Sequence, residues 1–334
     1  MLTRRTRWMS LLAGAVMLLS LLAHPAGVAP VDPTQSAMAA TGGQEAAPAP
    51  GTAPGANAVG TLTLTLVEPH RTIHLRGGRT EPRTLVTYVR YPALAGAVGA
   101  AAMPAPGPFP LVVFAHGYDA TPATYAALLD SWTRAGYVVA APLFPRTNPH
   151  APGGLDEDDV VNQPADVSFV ISSLLAASAT SKPLLGLIDP RHIAVAGQSD
   201  GAETALAVAD SRRDHDARVS AALVLSGAEM SGIGGYSFAP GGPALLAAQG
   251  TDDVFNEPRF TNAYFHAARR PKYLLRLLGA GHLPPYTTEQ PQLAIVERVT
   301  RAFLDDYLKG SASALAELAL FGNVKGVAAL VSEP

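Results

Sequence analysis

Hydrophobic and polar positions along this chain follow two different periods. Residues 61–67 (TLTLTLV) alternate strictly, the period-2 pattern of a strand with one face buried. Residues 73–75 and 85–91 carry two further strand patterns, so an antiparallel meander is expected early in the fold. Residues 96–108 read as an Ala, Gly and Pro loop. There the alternation stops. Residues 111–115 (LVVFA) are apolar without interruption, as expected for a strand buried on both faces of a parallel sheet. Short strand patterns recur at 137–141, 193–196, 221–225, 244–248 and 273–277. Helices are predicted over 122–135, 164–177, 202–210, 258–268 and 290–308. Alternating strands and helices require right-handed crossovers, which wind helices over both faces of the sheet. The expected class is therefore α/β: a doubly wound, mostly parallel sheet with an antiparallel N-terminal meander. Residues 311–334, rich in Ala and Leu, are expected to form a small helix or a tail. No internal repeat is visible.

Composition narrows this picture. The chain has 334 residues, of which 48% are hydrophobic and 15% charged, enough to build one large core. A formal net charge of −3 gives no footprint for a nucleic-acid partner. There is no cysteine, which excludes disulfides, a thiol nucleophile and a Cys-ligated metal. Arg4, Arg5 and Arg7 precede an apolar run at 11–23 that is short for a membrane span. Residues 1–40 are accordingly expected to be a signal peptide, with Ala37-Met38-Ala39 as a cleavage site and a secreted product without a stable membrane span. Thr3-Arg4-Arg5 is similar to the start of a twin-arginine signal, although Arg7 stands where that pattern has an apolar residue. Residues 41–58 read as an Ala/Pro/Gly-rich disordered linker, and residues 59–310 as the catalytic domain.

The chemistry concentrates at carboxyl ends of predicted strands. Gly197-Gln198-Ser199-Asp200-Gly201 matches G-x-S-x-G between a buried strand and a helix. In that setting the serine sits on a sharp strained turn, the glycines let strand and helix approach, and the helix N-terminus favours negative charge beside Ser199. A serine hydroxyl needs a base. Among nine histidines, His282 follows the last predicted strand in a Gly-flanked loop (GAGH), where sites form in open α/β sheets. The acid that orients it is expected between the two, after the strand at 244–248. Asp252 and Asp253 both qualify, and the order Ser, Asp, His is that of a known hydrolase arrangement. Two backbone donors are needed for the oxyanion: Asp200 N–H, next to the nucleophile, and Tyr118 N–H, in the loop after the first buried parallel strand (AHGYD).

These residues resemble a family. Residues 109–118 (FPLVVFAHGY) look like the oxyanion strand of secreted α/β-hydrolases in the chlorophyllase, dienelactone-hydrolase-like and polyesterase (cutinase-like) group. Residues 193–205 (IAVAGQSDGAETA) resemble that group's nucleophile elbow, and Gly281-His282 its histidine loop. Gly250-Thr251-Asp252-Asp253 is similar to its G-x-x-D acid turn, which favours Asp253 over Asp252. The resemblance spans about residues 60–308 and implies the α/β-hydrolase fold and ester hydrolysis. Dienelactone hydrolases use a cysteine that this chain lacks. Polyester-degrading members usually carry an aromatic next to the elbow or a Met after the serine. Here Gln198 and Asp200 stand there, so polyester cleavage is not indicated.

Other features are read as structural. Residues 156–159 (DEDD) form an acidic loop without EF-hand spacing, expected to be solvated and to rim the site. Trp132 falls on the apolar face of a helix and is expected in the core. No cofactor and no metal are expected, for want of a phosphate-cradling Gly loop or a cluster with ligand spacing. The expected activity is hydrolysis of a small-molecule or polymeric ester through Ser199, His282 and Asp253. A peptidase or acyltransferase on the same residues is the alternative, and a silent binding protein on the same scaffold the second.

Overall fold

The computed structural model describes residues 57–75, 77–95 and 102–334. The expected signal peptide and nearly all of the linker lie outside them. Nine strands form a single sheet in the order β1-β2-β4-β3-β5-β6-β7-β8-β9. The strands are β1 (Ala58–His74), β2 (Thr80–Ala93), β3 (Phe109–Ala115), β4 (Val138–Leu143), β5 (Ile188–Gln198), β6 (Val219–Leu225), β7 (Ala244–Gly250), β8 (Lys272–Leu277) and β9 (Ala328–Glu333). From β4 across to β8 every pairing is parallel. The edges are antiparallel: β1 on β2, β2 on β4, and β9 on β8. The α/β-hydrolase fold expected from the sequence is the fold observed.

Two details differ from the sequence reading. The meander is a two-stranded hairpin, because residues 73–75 do not begin a new strand. Ile73 and His74 continue β1 after an irregularity between Glu68 and Thr72, beyond which pairing resumes at Thr72 opposite Pro82, and Leu75 follows the end of the strand. Pro69, which lacks an N–H for the ladder, lies in that irregularity. The C-terminal stretch forms α6 (Ala314–Gly322) and then β9, an edge strand along the full length of β8.

Uninterrupted apolar runs become central strands because each has two faces to bury. In β3, Leu111 and Val113 join one core and Val112 and Phe114 the other. The first core is covered by α2 (Gln163–Thr180), α3 (Asp200–Asp210) and α4 (Pro258–Ala267), through Val170, Leu174, Leu206 and Phe265. The second lies under α1 (Ala126–Arg134) and α5 (Gln292–Lys309), through Leu129, Trp132, Val299 and Phe303. Trp132 is fully buried, as expected, and its indole N–H donates to Thr300 Oγ1 at 2.9 Å. The segment from Glu157 to Thr180 is the single described helical stretch long and apolar enough to cross a membrane. It is the core-facing α2 with its preceding turn, held to the sheet by charge.

That charge corrects the reading of the acidic loop as solvated. Arg83 on β2 is 1% exposed and forks across two carboxylates, with 2.6 Å contacts to Asp166 and contacts of 2.8 and 2.9 Å to Asp159. Arg71 reaches Asp166 at 2.7 Å. Burial alone would lower the Arg83 pKa, but its bonds to Asp166 and Asp159 outweigh burial and raise it. Asp159 is thus a buried anchor, and Asp156 lies 3.3 Å from Arg146. Only Asp158 of the four is exposed. Sequence proximity hides this, because the partners stand 76 and 83 positions away.

Candidate active site

The turn from β5 into α3 holds Ser199 in a conformation that L-residues avoid, with φ 57° and ψ −125°. Such a backbone costs on the order of 1–3 kcal/mol and persists only where surroundings over-determine it. Here they do. Ser199 N donates to Leu225 O on β6 at 3.0 Å, and Ser199 O accepts from Ala202 N and Glu203 N at 2.8 and 3.0 Å. The flanking glycines are required by packing. A Cβ on Gly197 would overlap the Gly201 carbonyl, and one on Gly201 would overlap the Ala115 carbonyl. The elbow therefore presses strand, helix and the β3 loop together, with the serine side chain left half-buried at the surface.

His282 lies beyond the end of β8 and its ring reaches both partners. Nε2 is 2.8 Å from Ser199 Oγ, and Nδ1 is 2.8 Å from Asp253 Oδ2. A carboxylate only accepts, so Nδ1 carries the proton and the Nε2 lone pair faces the serine hydroxyl. The histidine loop is tied to the acid turn: Thr251 N donates to Leu277 O at 2.9 Å, Asp252 N to Ala280 O at 3.0 Å, and Gly279 N to Thr251 Oγ1 at 2.8 Å.

Of the two candidate acids, Asp253 is 3% exposed and faces His282, while Asp252 is exposed and bonds Thr251 Oγ1. Asp253 Oδ1 accepts from Phe255 N at 2.9 Å and Asn256 N at 3.0 Å, and Oδ2 accepts from Gln249 Nε2 at 3.1 Å as well as from His282. Burial would raise its pKa. The bond and charge of His282, with the Phe255 N–H, outweigh burial and hold it below the ordinary carboxylate value. Phe255, 60% exposed, tilts its ring over His282 with centroids 5.3 Å apart.

The loop after β3 abuts the serine. A Cβ on Gly117 would stand 3.2 Å from Ser199 Cβ. His116, fully buried, orients the next peptide group. Its Nε2 accepts from Phe144 N at 3.0 Å, so Nδ1 bears the proton and donates to Gly117 O at 2.8 Å. Carbonyl and N–H point oppositely across a trans peptide, so fixing Gly117 O also fixes the direction of Tyr118 N–H. Burial lowers the His116 pKa to about 4, against the opposing bond to Gly117. Asp200 N–H belongs to the first turn of α3, where helix N–H groups point out of the helix end. The Tyr118 ring is part-buried, and its pKa is raised first by burial and then by Glu157, Asp119, Asp200 and Asp156. The acidic loop thus lies within electrostatic reach of the same rim.

Four side chains at this site were not singled out from the sequence as site residues. Gln198, Gln249, Tyr125 and Phe255 all touch a candidate residue or its support. The two glutamines left a readable signal: each is a lone amide at the carboxyl end of an otherwise apolar buried strand (IAVAGQ and ALLAAQ). Tyr125 and Phe255 left none, since an aromatic in a helix or turn reads first as core or surface.

The comparisons with known proteins agree with this architecture. Residues 90–229 match the chlorophyllase family model. The matched segment contains the loop after β3 and the Ser199 elbow, and it ends before Asp253 and His282. No curated protein matches the chain. The resemblance to the chlorophyllase group read from the sequence is borne out over this segment, and the chain has the α/β-hydrolase fold. Chlorophyllases are ester hydrolases of that type, which supports the same class of activity here.

Proposed function

We propose that this protein is a secreted serine esterase that cleaves carboxylic esters through an acyl-enzyme formed on Ser199. The observation that carries the reading is the unbroken contact chain from Ser199 Oγ through His282 to Asp253, both links 2.8 Å, at the carboxyl edge of the sheet. Ser199 Oγ attacks the ester carbonyl carbon while His282 Nε2 takes its proton. The imidazolium is held by Asp253, whose depressed pKa keeps it ionised. The oxyanion faces the N–H groups of Tyr118 and Asp200, each such donor being worth about 3 kcal/mol in comparable sites. Collapse breaks the C–O bond, and the alcohol leaves with the proton from His282. Water then attacks the acyl-enzyme, giving His282 its proton, and the acid departs as Ser199 is restored. Export is supported by the basic and apolar patterning of residues 4–23, which lie outside the described structure.

The test is hydrolysis of p-nitrophenyl acetate, butyrate, octanoate and palmitate by the protein and its Ser199→Ala variant. The expected result is turnover by the parent and a loss of about 10⁶-fold in kcat in the variant. Comparable turnover by Ser199→Ala would overturn the reading. The chain-length profile of the parent would size the acyl site.

A further inference from the structure

Gln198 occupies the variable position before the nucleophile, and the esterase chemistry above gives it no role. It is 2% exposed, yet it uses its whole amide. Nε2 donates to the His282 carbonyl at 3.1 Å and lies 3.3 Å from His282 Nε2. Oε1 accepts from Tyr125 Oη at 2.7 Å. Tyr125, 1% exposed, in turn accepts from Gly117 N at 3.3 Å. The polarity of this chain is fixed by chemistry. The His282 carbonyl can only accept, so the NH₂ of Gln198 must face it and the amide oxygen must face Tyr125. Tyr125 then spends its one proton on Gln198, and its oxygen is left to receive Gly117 N–H.

From this geometry we infer that Tyr125 and Gln198 form a positioning relay. It ties the oxyanion loop at Gly117 to the nucleophile elbow and to the histidine loop, and so sets the mutual placement of Tyr118 N–H, Ser199 and His282. The inference rests on the serine esterase reading above. Three segments meet here: the β3 loop, the end of β5, which pairs with β3 as far as Gly197, and the loop after β8, which comes from the far side of the sheet order. Ser199 and His282 stand 83 positions apart, and their direct contact is a single hydrogen bond that must break during each turnover. The relay persists through that step, because it grips the His282 backbone and not only its ring. Gly117 completes the fit. A Cβ there would stand 2.9 Å from Gln198 Oε1 and 3.2 Å from the Gln198 carbonyl oxygen, so the loop lies close against Gln198.

The relay is tested with Tyr125→Phe, Gln198→Met and the double variant, each close in volume to the parent and lacking the hydrogen bonds. Three quantities are read: kcat and KM on p-nitrophenyl butyrate, the rate of Ser199 labelling by a fluorophosphonate, and Tm. Loosening a catalytic constellation by a fraction of an ångström to an ångström should lower kcat and the labelling rate by about 10- to 100-fold. KM should stay within about twofold. The double variant should be no slower than the worse single one, because both break the same chain. Restoring a donor and an acceptor with Gln198→His should recover part of the lost rate, which a purely structural role would not produce. Parental kcat and labelling in both single variants, or multiplicative losses in the double, would overturn the relay and leave the esterase reading standing. A parent that neither turns over esters nor labels at Ser199 would overturn both.

Discussion

Ser199 and Asp253, the proposed nucleophile and acid, are held in place by different physics. At the elbow, position is steric: main chains of β5, α3 and the β3 loop meet so closely that Gly197 and Gly201 have no room for a Cβ. At the acid turn, Gly250 has similar close neighbours, but the carboxylate itself is aimed by hydrogen bonds. Four donors converge on Asp253, two from backbone and two from side chains. A steric device is part of the fold, so breaking it should cost stability and activity together. A hydrogen-bonded device can be dismantled in place, so breaking it should cost activity first. The two sites therefore predict opposite patterns of damage.

The sharpest separation should come from Asp253→Asn. The amide keeps the volume and part of the turn, but it no longer stabilises the Nδ1–H tautomer of His282. By analogy with the well-studied triad, kcat should fall by about 10⁴-fold, with Tm shifted by only a few degrees. Asp252→Asn, at the exposed neighbour, should leave kcat within about twofold. Equal losses from the two variants, measured on one ester, would remove the distinction between them. Gly201→Val should give the reverse pattern. It drives a branched side chain into the Ala115 carbonyl and should cost about 4–5 kcal/mol, seen as a large drop in Tm or in soluble yield. A stable but inactive Gly201→Val would mean that the elbow too is only locally held.

Acid should act on the fold through the loop after β3. His116 has a folded-state pKa of about 4, against about 6.5 in an unfolded chain. The depressed value means that the neutral form is favoured on folding. Its contribution is fully present above pH ~6.5, shrinks as the pH falls, and is gone below pH ~4, a total of about 3 kcal/mol. Asp253 acts in the same direction but lower, since its depressed pKa is felt only below the ordinary carboxylate value. Thermal melts between pH 7 and 4 should contain a one-proton loss of stability from His116, opposed over the same range by Asp210, where burial pushes the carboxyl pKa up to about 6. His116→Asn should remove that loss. An unchanged slope in His116→Asn would assign the acid sensitivity elsewhere.

Much of this molecule could be read before it was seen, for identifiable reasons. Strands buried on both faces have no polar alternative, so LVVFA and IAVA announced β3 and β5. The elbow was legible because its steric demand selects glycine at two fixed positions. β9 was not legible, because AALVSE is distinguished from a helical Ala/Leu stretch only by the exposed edge of β8 it covers. Arg83 was invisible for the same kind of reason: a buried charge is recognised by its partners, and Asp159 and Asp166 arrive from another part of the chain. Among the two acids, spacing left Asp252 and Asp253 open. The fold turns one inward onto His282 and the other out to solvent.

The smallest effect is the one that probes the acid turn most finely. Gln249 is 3% exposed and its NH₂ is shared among Gly250 O, Asp253 Oδ2 and Asn256 O, at 3.0, 3.1 and 3.1 Å. Its oxygen accepts from Thr261 Oγ1 at 2.5 Å, which fixes the amide on α4. Gln249→Met removes one of four donors to the carboxylate and leaves Phe255 N, Asn256 N and His282 in place. Stability should fall by about 1–3 kcal/mol for the buried groups left unpaired, and kcat by about tenfold as the carboxylate gains freedom. Since Asp253 itself remains, the loss must be far smaller than that of Asp253→Asn. If Gln249→Met instead matches Asp253→Asn in kcat at near-parental Tm, the carboxylate is aimed by a single amide rather than by four converging donors, and the acid turn is as intolerant of one change as the elbow.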